Sequence, residues 1–180
     1  MLLFSLLSCL HRPAVVAPPI PWRREVDHRE EVLPDGSWCA WDAERIVTAE
    51  GSLWEITAPD TVPGGVAEQW CPAGGEASRT VDVVDQTGPF LHTILHDRRC
   101  CPEEEVSLCV TWDLRTRGPA TLSDVDPRRA AELWAGLQAK IAAEPALADL
   151  RFAVDEFVME KGIVRFCGRK DGTLREVEIR

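Results

Sequence analysis

Residues 105–115 read Glu105-Val106-Ser107-Leu108-Cys109-Val110-Thr111-Trp112-Asp113-Leu114-Arg115. Val106, Leu108, Val110, Trp112 and Leu114 alternate with Ser107, Cys109, Thr111, Asp113 and Arg115. Successive strand side chains point to opposite faces, so this alternation predicts a strand with one face in a core. Shortly downstream the period changes. Asp126 stands where an N-cap is needed and Pro127 suits the first helical turn, while Ala130, Leu133, Trp134, Leu137 and Ile141 fall on one apolar stripe. The spacing predicts an amphipathic helix over about 127–143, stopped by Pro145 and weakened slightly by Gly136.

Strand signals lie on both sides of this pair. Residues 80–85 and 90–96 are β-rich and flank the turn Gln86-Thr87-Gly88-Pro89, and 44–49 with 52–57 form a hairpin pattern around Glu50-Gly51. Residues 66–71 suggest a further strand. After the helix come 151–159, 162–167 and 174–179, joined by Glu160-Lys161-Gly162 and by 168–172 with its Asp171-Gly172. Strands, one helix and strands again predict an α+β domain over 37–180: an antiparallel sheet with the helix packed on one face. Ahead of it, residues 10–36 carry Pro13, Pro18, Pro19, Pro21 and Pro34 among many charges, which predicts a stiff, solvated linker; the Ile20-Pro21-Trp22 patch could dock on the domain.

The chain has 180 residues with 20 Lys and Arg against 30 Asp and Glu, a net charge of −10. Such a surface repels phosphate backbones and argues against nucleic-acid binding. The excess is uneven, with 6 basic and 14 acidic side chains in residues 1–90. That half would attract a basic partner, and the same excess also serves solubility.

The opening apolar run ends in Leu6-Leu7-Ser8-Cys9 and resembles the lipobox of bacterial lipoproteins, in which the cysteine becomes lipidated. If residues 1–9 are such a signal and Cys9 carries lipid, then Cys39, Cys71, Cys100, Cys101, Cys109 and Cys167 remain, an even set suited to disulfides in an oxidising compartment. Six cysteines allow 15 pairings. Cys101 with Cys109 across the acidic tip Glu103-Glu104-Glu105, Cys39 with Cys71, and Cys100 with Cys167 make one plausible set. The competing reading is a protein with buried free thiols, since free cysteine behaves as a small hydrophobe.

Catalytic motifs are missing. The sequence contains no Gly-x-Ser-x-Gly, no His-Glu-x-x-His and no phosphate-cradling Gly-rich loop. His92 and His96 with Cys100 and Cys101 are a conceivable zinc set, but on a strand the two histidines stand about 13 Å apart and no Cys-x2-Cys knuckle accompanies them. The turn 113–118 reads as structural, with Gly118 free to take positive φ.

Four segments in order carry a family resemblance: Thr87-Gly88-Pro89-Phe90-Leu91-His92, then Thr111-Trp112-Asp113-Leu114-Arg115-Thr116-Arg117-Gly118, then Ala120-Thr121-Leu122-Ser123-Asp124-Val125, and finally Phe152-Ala153-Val154 with Gly162-Ile163-Val164-Arg165-Phe166. Over about residues 80–180 the chain resembles the domain of unknown function at the C-terminus of the lysozyme-sensing anti-sigma factor RsiV, which also accompanies some extracytoplasmic polysaccharide deacetylases. Pro89 replaces the second glycine of the family's first motif, and the aromatic, proline-containing segment between its last two strands is absent. The resemblance implies an extracytoplasmic, non-catalytic domain of the cell envelope. The sequence therefore predicts a lipid-anchored binding or structural module that needs no cofactor and meets a protein or cell-wall partner. An enzyme or accessory domain acting on cell-wall glycan, or a soluble zinc protein, are the alternatives.

Overall fold

The period-two segment lies inside a sheet, and the reason its polar side looks polar is found in a second sheet above it. The computed structural model describes residues 17–53, 74–100, 104–170 and 173–180. Its elements run β1 (Arg23–Val32), β2 (Trp38–Thr48), β3 (Gly51–Ser52), β4 (Gly75–Thr87), β5 (Phe90–Arg99), β6 (Glu104–Asp113), β7 (Gly118–Pro119), α1 (Leu122–Val125), α2 (Ala130–Ala143), a 3-10 turn (Pro145–Leu147), β8 (Phe157–Glu160), β9 (Ile163–Lys170) and β10 (Thr173–Ile179). Strands dominate and α2 is the one main helix.

Where a single antiparallel sheet is expected, two are found. The larger runs β1-β2-β4-β5-β6-β7, with β3 paired to β2, and the smaller runs β10-β9-β8. The larger is mixed: β2 and β4 pair in parallel from Cys39 opposite Gly75 to Ala43 opposite Arg79. Past that seam the strands part, and the Glu44 carboxylate accepts the Val81 amide at 2.7 Å in place of a strand carbonyl. Residues 23–32, read from sequence as linker, are instead the edge strand β1, laddered to β2 along its whole length. Their charges conceal the strand because neither face of β1 enters the core. Just ahead of it the Ile20-Trp22 patch does dock: Trp22 Nε1 donates to Gln86 Oε1 at 3.1 Å, and Gln86 Nε2 donates to the Ile20 carbonyl at 3.0 Å. The outer part of the hairpin signal at 52–57 and the strand signal at 66–71 lie outside the described residues.

The predicted stripe of α2 packs on the small sheet, with Leu133 and Leu137 buried among Leu147, Phe157, Val164, Phe166 and Val177. The helix begins at Ala130, later than the spacing suggests, because Thr121 and Asp124 close a capping box on the separate short helix α1. Asp126 ends α1, and its carboxylate accepts the Arg129 amide at 3.2 Å. Gly136 is explained by proximity, since a Cβ there would lie 3.2 Å from Ile179 Cγ2.

Leu108, Val110 and Trp112 of β6, with Leu114 just past its end, join Leu91, Leu95 and Val81 in one cluster, as the alternation predicts. Cys109 and Thr111 on the opposite face are buried as well. The small sheet covers them, with its other face under α2, so the C-terminal part is layered helix, small sheet, large sheet. The tight turn after β8 has Lys161 at φ 50° and Gly162 at φ 82°, the paired positive angles of a two-residue hairpin. In the 113–118 turn the positive φ falls on Arg117, not Gly118; the Arg117 side chain reaches back to the Glu50 carbonyl at 2.8 Å. No helix among the described residues is long and apolar enough to cross a membrane.

Candidate functional site

The cysteines come first, because they bear on the compartment. Cys109 on β6 and Cys167 on β9 form a disulfide that ties the large sheet to the small one. Both are buried, among Val158, Val84 and Ile94. This bond overturns the pairings Cys101–Cys109 and Cys100–Cys167. Cys109 faces the space between the sheets, where Cys167 of β9 and Val158 of β8 meet it. Cys39 and Cys100 are also disulfide-bonded. Cys9, Cys71 and Cys101 lie outside the described residues.

His92 sits in the same intersheet layer, fully buried. The Thr111 hydroxyl donates to the Phe157 carbonyl at 2.8 Å, so its lone pair receives the Nδ1–H of His92 at 2.9 Å. That assigns the tautomer and leaves Nε2 as a buried acceptor with no partner. Burial pushes the imidazole down to about 4 against the opposing pull of the Asp85 carboxylate, so His92 is neutral at ordinary pH. Its place is that of a packing residue whose hydroxyl relay fixes β8 on β6. His96, on the same face further along β5, is held by Ser107 at 2.9 Å and Asp82 at 3.2 Å. Of the set His92, His96, Cys100 and Cys101, the two histidines have separate partners and Cys100 is in a disulfide, while Cys101 lies outside the described residues. Among the described residues no three His, Cys, Asp or Glu side chains converge as a metal site would require. Asp97 occupies the other face of β5, gripped by Arg79 through two bonds of 2.6 Å, so it cannot assist His92.

A concave feature with chemistry in it lies elsewhere, on the uncovered part of the large sheet. A cleft of about 330 Å³ is lined by His28 and Glu30 of β1, Trp38 and Asp42 of β2, Glu76 and Ser78 of β4, and Arg98 of β5. The register pairs His28 with Asp42, Asp42 with Ser78 and Ser78 with Arg98, so alternation along each strand brings these side chains to one face, with Trp41 and Ala77 also at the rim. Asp42, and after it Glu30, hold the His28 imidazolium above its ordinary pKa, at 2.6 and 3.4 Å. With both ring nitrogens committed to carboxylates, His28 has no lone pair with which to activate Ser78. Among the described residues the cleft can therefore bind through Trp38 and several carboxylates, and His28 is not available to Ser78 as a base. Its acidic balance and the exposed face of Trp38 suit a cationic group.

Sequence reading missed this cleft because it placed His28 and Glu30 in a linker. The available signal was charge alternation two residues apart, Arg23 with Glu25 and Asp27 with Arg29. These are ion pairs of 2.6 and 2.9 Å along one face of β1, a spacing that suits an extended strand, where residues two apart share a face.

No family model matches the chain, and no curated protein matches it. Solved structures do resemble it. One is a DUF3298 family protein from Pseudomonas aeruginosa PAO1, 12% identical over 82% of each chain with a TM-score of 0.48. Another is a DUF3298 family member from Bacteroides fragilis NCTC 9343, 11% identical over 92% of this chain and 91% of that one, with a TM-score of 0.47. The structural neighbours are thus proteins of a family of unknown function.

Proposed function

We propose that this chain is an extracytoplasmic, non-catalytic binding module of the bacterial envelope, held to the membrane by lipid on Cys9. The observation that carries the reading is the buried Cys109–Cys167 bridge between the two sheets. Structural disulfides persist outside the cytosol, and with Cys39 and Cys100 also bonded the thiols match an oxidising compartment. The lipobox-like Leu6-Leu7-Ser8-Cys9 and the RsiV-like segments over 80–180 point the same way. The cleft around Trp38 and Asp42 is where a basic partner docks, its cationic side chains meeting Glu30, Asp42 and Glu76.

The test is the intact mass of the protein made in a bacterium with its native upstream sequence. Lipid on Cys9 and a six-hydrogen deficit are expected; a fully reduced, unlipidated mass overturns the reading. For the cleft, calorimetry with an arginine-rich peptide at low salt should show binding that Trp38→Ala and Asp42→Asn each weaken. A second reading, an accessory domain for cell-wall glycan, draws on the same exposed indole, since a sugar ring can stack there. Soluble peptidoglycan fragments binding in place of the peptide would favour it.

A further inference from the structure

Strand β1 is the edge of the large sheet, and among the described residues its outer backbone groups pair with nothing. Long edges invite pairing with other chains, and charge along an edge is the usual defence. Here the charge has an order that does more than repel. The strand reads Arg23-Arg24-Glu25-Val26-Asp27-His28-Arg29-Glu30-Glu31-Val32. Consider it laid antiparallel on a second copy of itself with Asp27 on the two-fold axis. Arg23 then stands opposite Glu31, Arg24 opposite Glu30, and Glu25 opposite Arg29, each pair occurring twice by symmetry. Val26, 62% exposed in the single chain, meets His28 of the second copy.

Neighbouring registers fail. A shift by one residue sets outward-facing amides against inward-facing ones, so the ladder cannot form. A shift by two in one direction opposes Glu25 to Glu31 and His28 to its own copy, which offsets the Asp27–Arg29 pairs it gains, and in the other opposes Arg23 to Arg29 and Glu25 to Asp27. Like charges directly opposite are destabilising, and opposite charges favourable, by roughly 0.2–1 kcal/mol per pair. One alignment is thus selected and the others are rejected, which is how an edge can exclude foreign strands yet accept its own.

From this self-complementary charge ladder we infer that β1 is a dimerisation edge, joining two copies of the chain into one continuous sheet through antiparallel β1–β1 pairing. The inference rests on the strand and its register and not on the proposed binding role, although Glu30 belongs to both, so the dimer is read by sedimentation and the cleft by peptide binding. Asp27 is the only like-charge contact in the favoured register, and it is shared with Arg29 at 2.9 Å within its own strand.

Sedimentation equilibrium of the full chain should show a monomer–dimer equilibrium at micromolar to sub-millimolar concentration, weakened by salt. Arg24→Glu puts Glu against Glu30, and Glu30→Arg puts Arg against Arg24, so each alone should weaken the dimer at least about tenfold. A one-to-one mixture of these two variants should dimerise again, because each supplies the charge the other lacks. The double variant should also recover. Asp27→Asn should tighten the dimer, a gain that misfolding cannot imitate. Circular dichroism confirms that each variant retains its strands. A monomeric wild type overturns the inference, as does a dimer indifferent to the single reversals or a mixture that stays monomeric.

Discussion

The three-stranded sheet and the outer wing of the large sheet, β1 with β2, share the same local geometry and differ in what covers them. The small sheet has α2 on one face and the large sheet on the other, and β9 is sewn to β6 by Cys109–Cys167. On the wing, Val26, Val32 and Trp38 lie exposed on one face, and the strand is decorated with ion pairs that water reaches. The lesson is a division of labour. Burial and crosslinking hold the C-terminal layers and reach the wing only through β2, whose Cys39 is disulfide-bonded and whose Trp41 and Ile46 are buried, while β1 contributes recognition at little cost to the rest of the fold.

That contrast can be broken by measurement. Replacing Cys109 and Cys167 together by Ala reopens a loop of sequence separation 58 and should lower unfolding free energy by about 4 kcal/mol in urea titrations. A loss near zero would mean the layers hold without their crosslink. Next is pH. His92 has a folded pKa of about 4 against an ordinary 6.5, so between those values the unfolded chain binds the proton that the folded chain refuses. Its contribution is complete above pH 6.5 and disappears on acidification toward 4, a loss of roughly 3 kcal/mol. The comparison of wild type with His92→Gln at pH 7 and pH 4.5 isolates this term; parallel behaviour of the two would remove His92 as its source. His28 on the wing runs with the opposite sign, its stabilising pairs fading as pH rises, and being exposed it should leave stability nearly flat.

Smaller still is Gly168→Ala. A Cβ there would come within 2.4 Å of the Phe152 ring, which must shift, and a loss of about 1–3 kcal/mol in melting experiments is expected. Last, Val26→Thr on the wing should change the stability of the dilute monomer by less than about 0.5 kcal/mol. A cost equal to that at Gly168 would show that the wing is as deeply built into the fold as the small sheet.

What the sequence disclosed follows the same division. β6 and the stripe of α2 were legible because an apolar period marks any element with one face in a core. The existence of two layers was not, because Ser107, Cys109 and Thr111 look like a solvent face; Thr111 is polar in order to relay between His92 and the Phe157 carbonyl. β1 left only Val26 and Val32, six residues apart among charges, as an apolar trace, and with it went the cleft. The cysteine count suggested crosslinking, whereas the partner of Cys109 depended on which side of β6 the last three strands would settle, and that is a matter of chain topology rather than of spacing.

The parallel seam between β2 and β4 has a kinetic meaning. Among the described residues every other strand pair is antiparallel, and most are joined by a short turn, so those ladders can close early from contacts near in sequence. The seam instead waits for the chain to travel from the far end of β2 back to the start of β4 before Cys39 can meet Gly75. Weakening its rungs should therefore hasten unfolding while leaving the refolding rate almost untouched, the signature of a joint that closes after the barrier has been crossed.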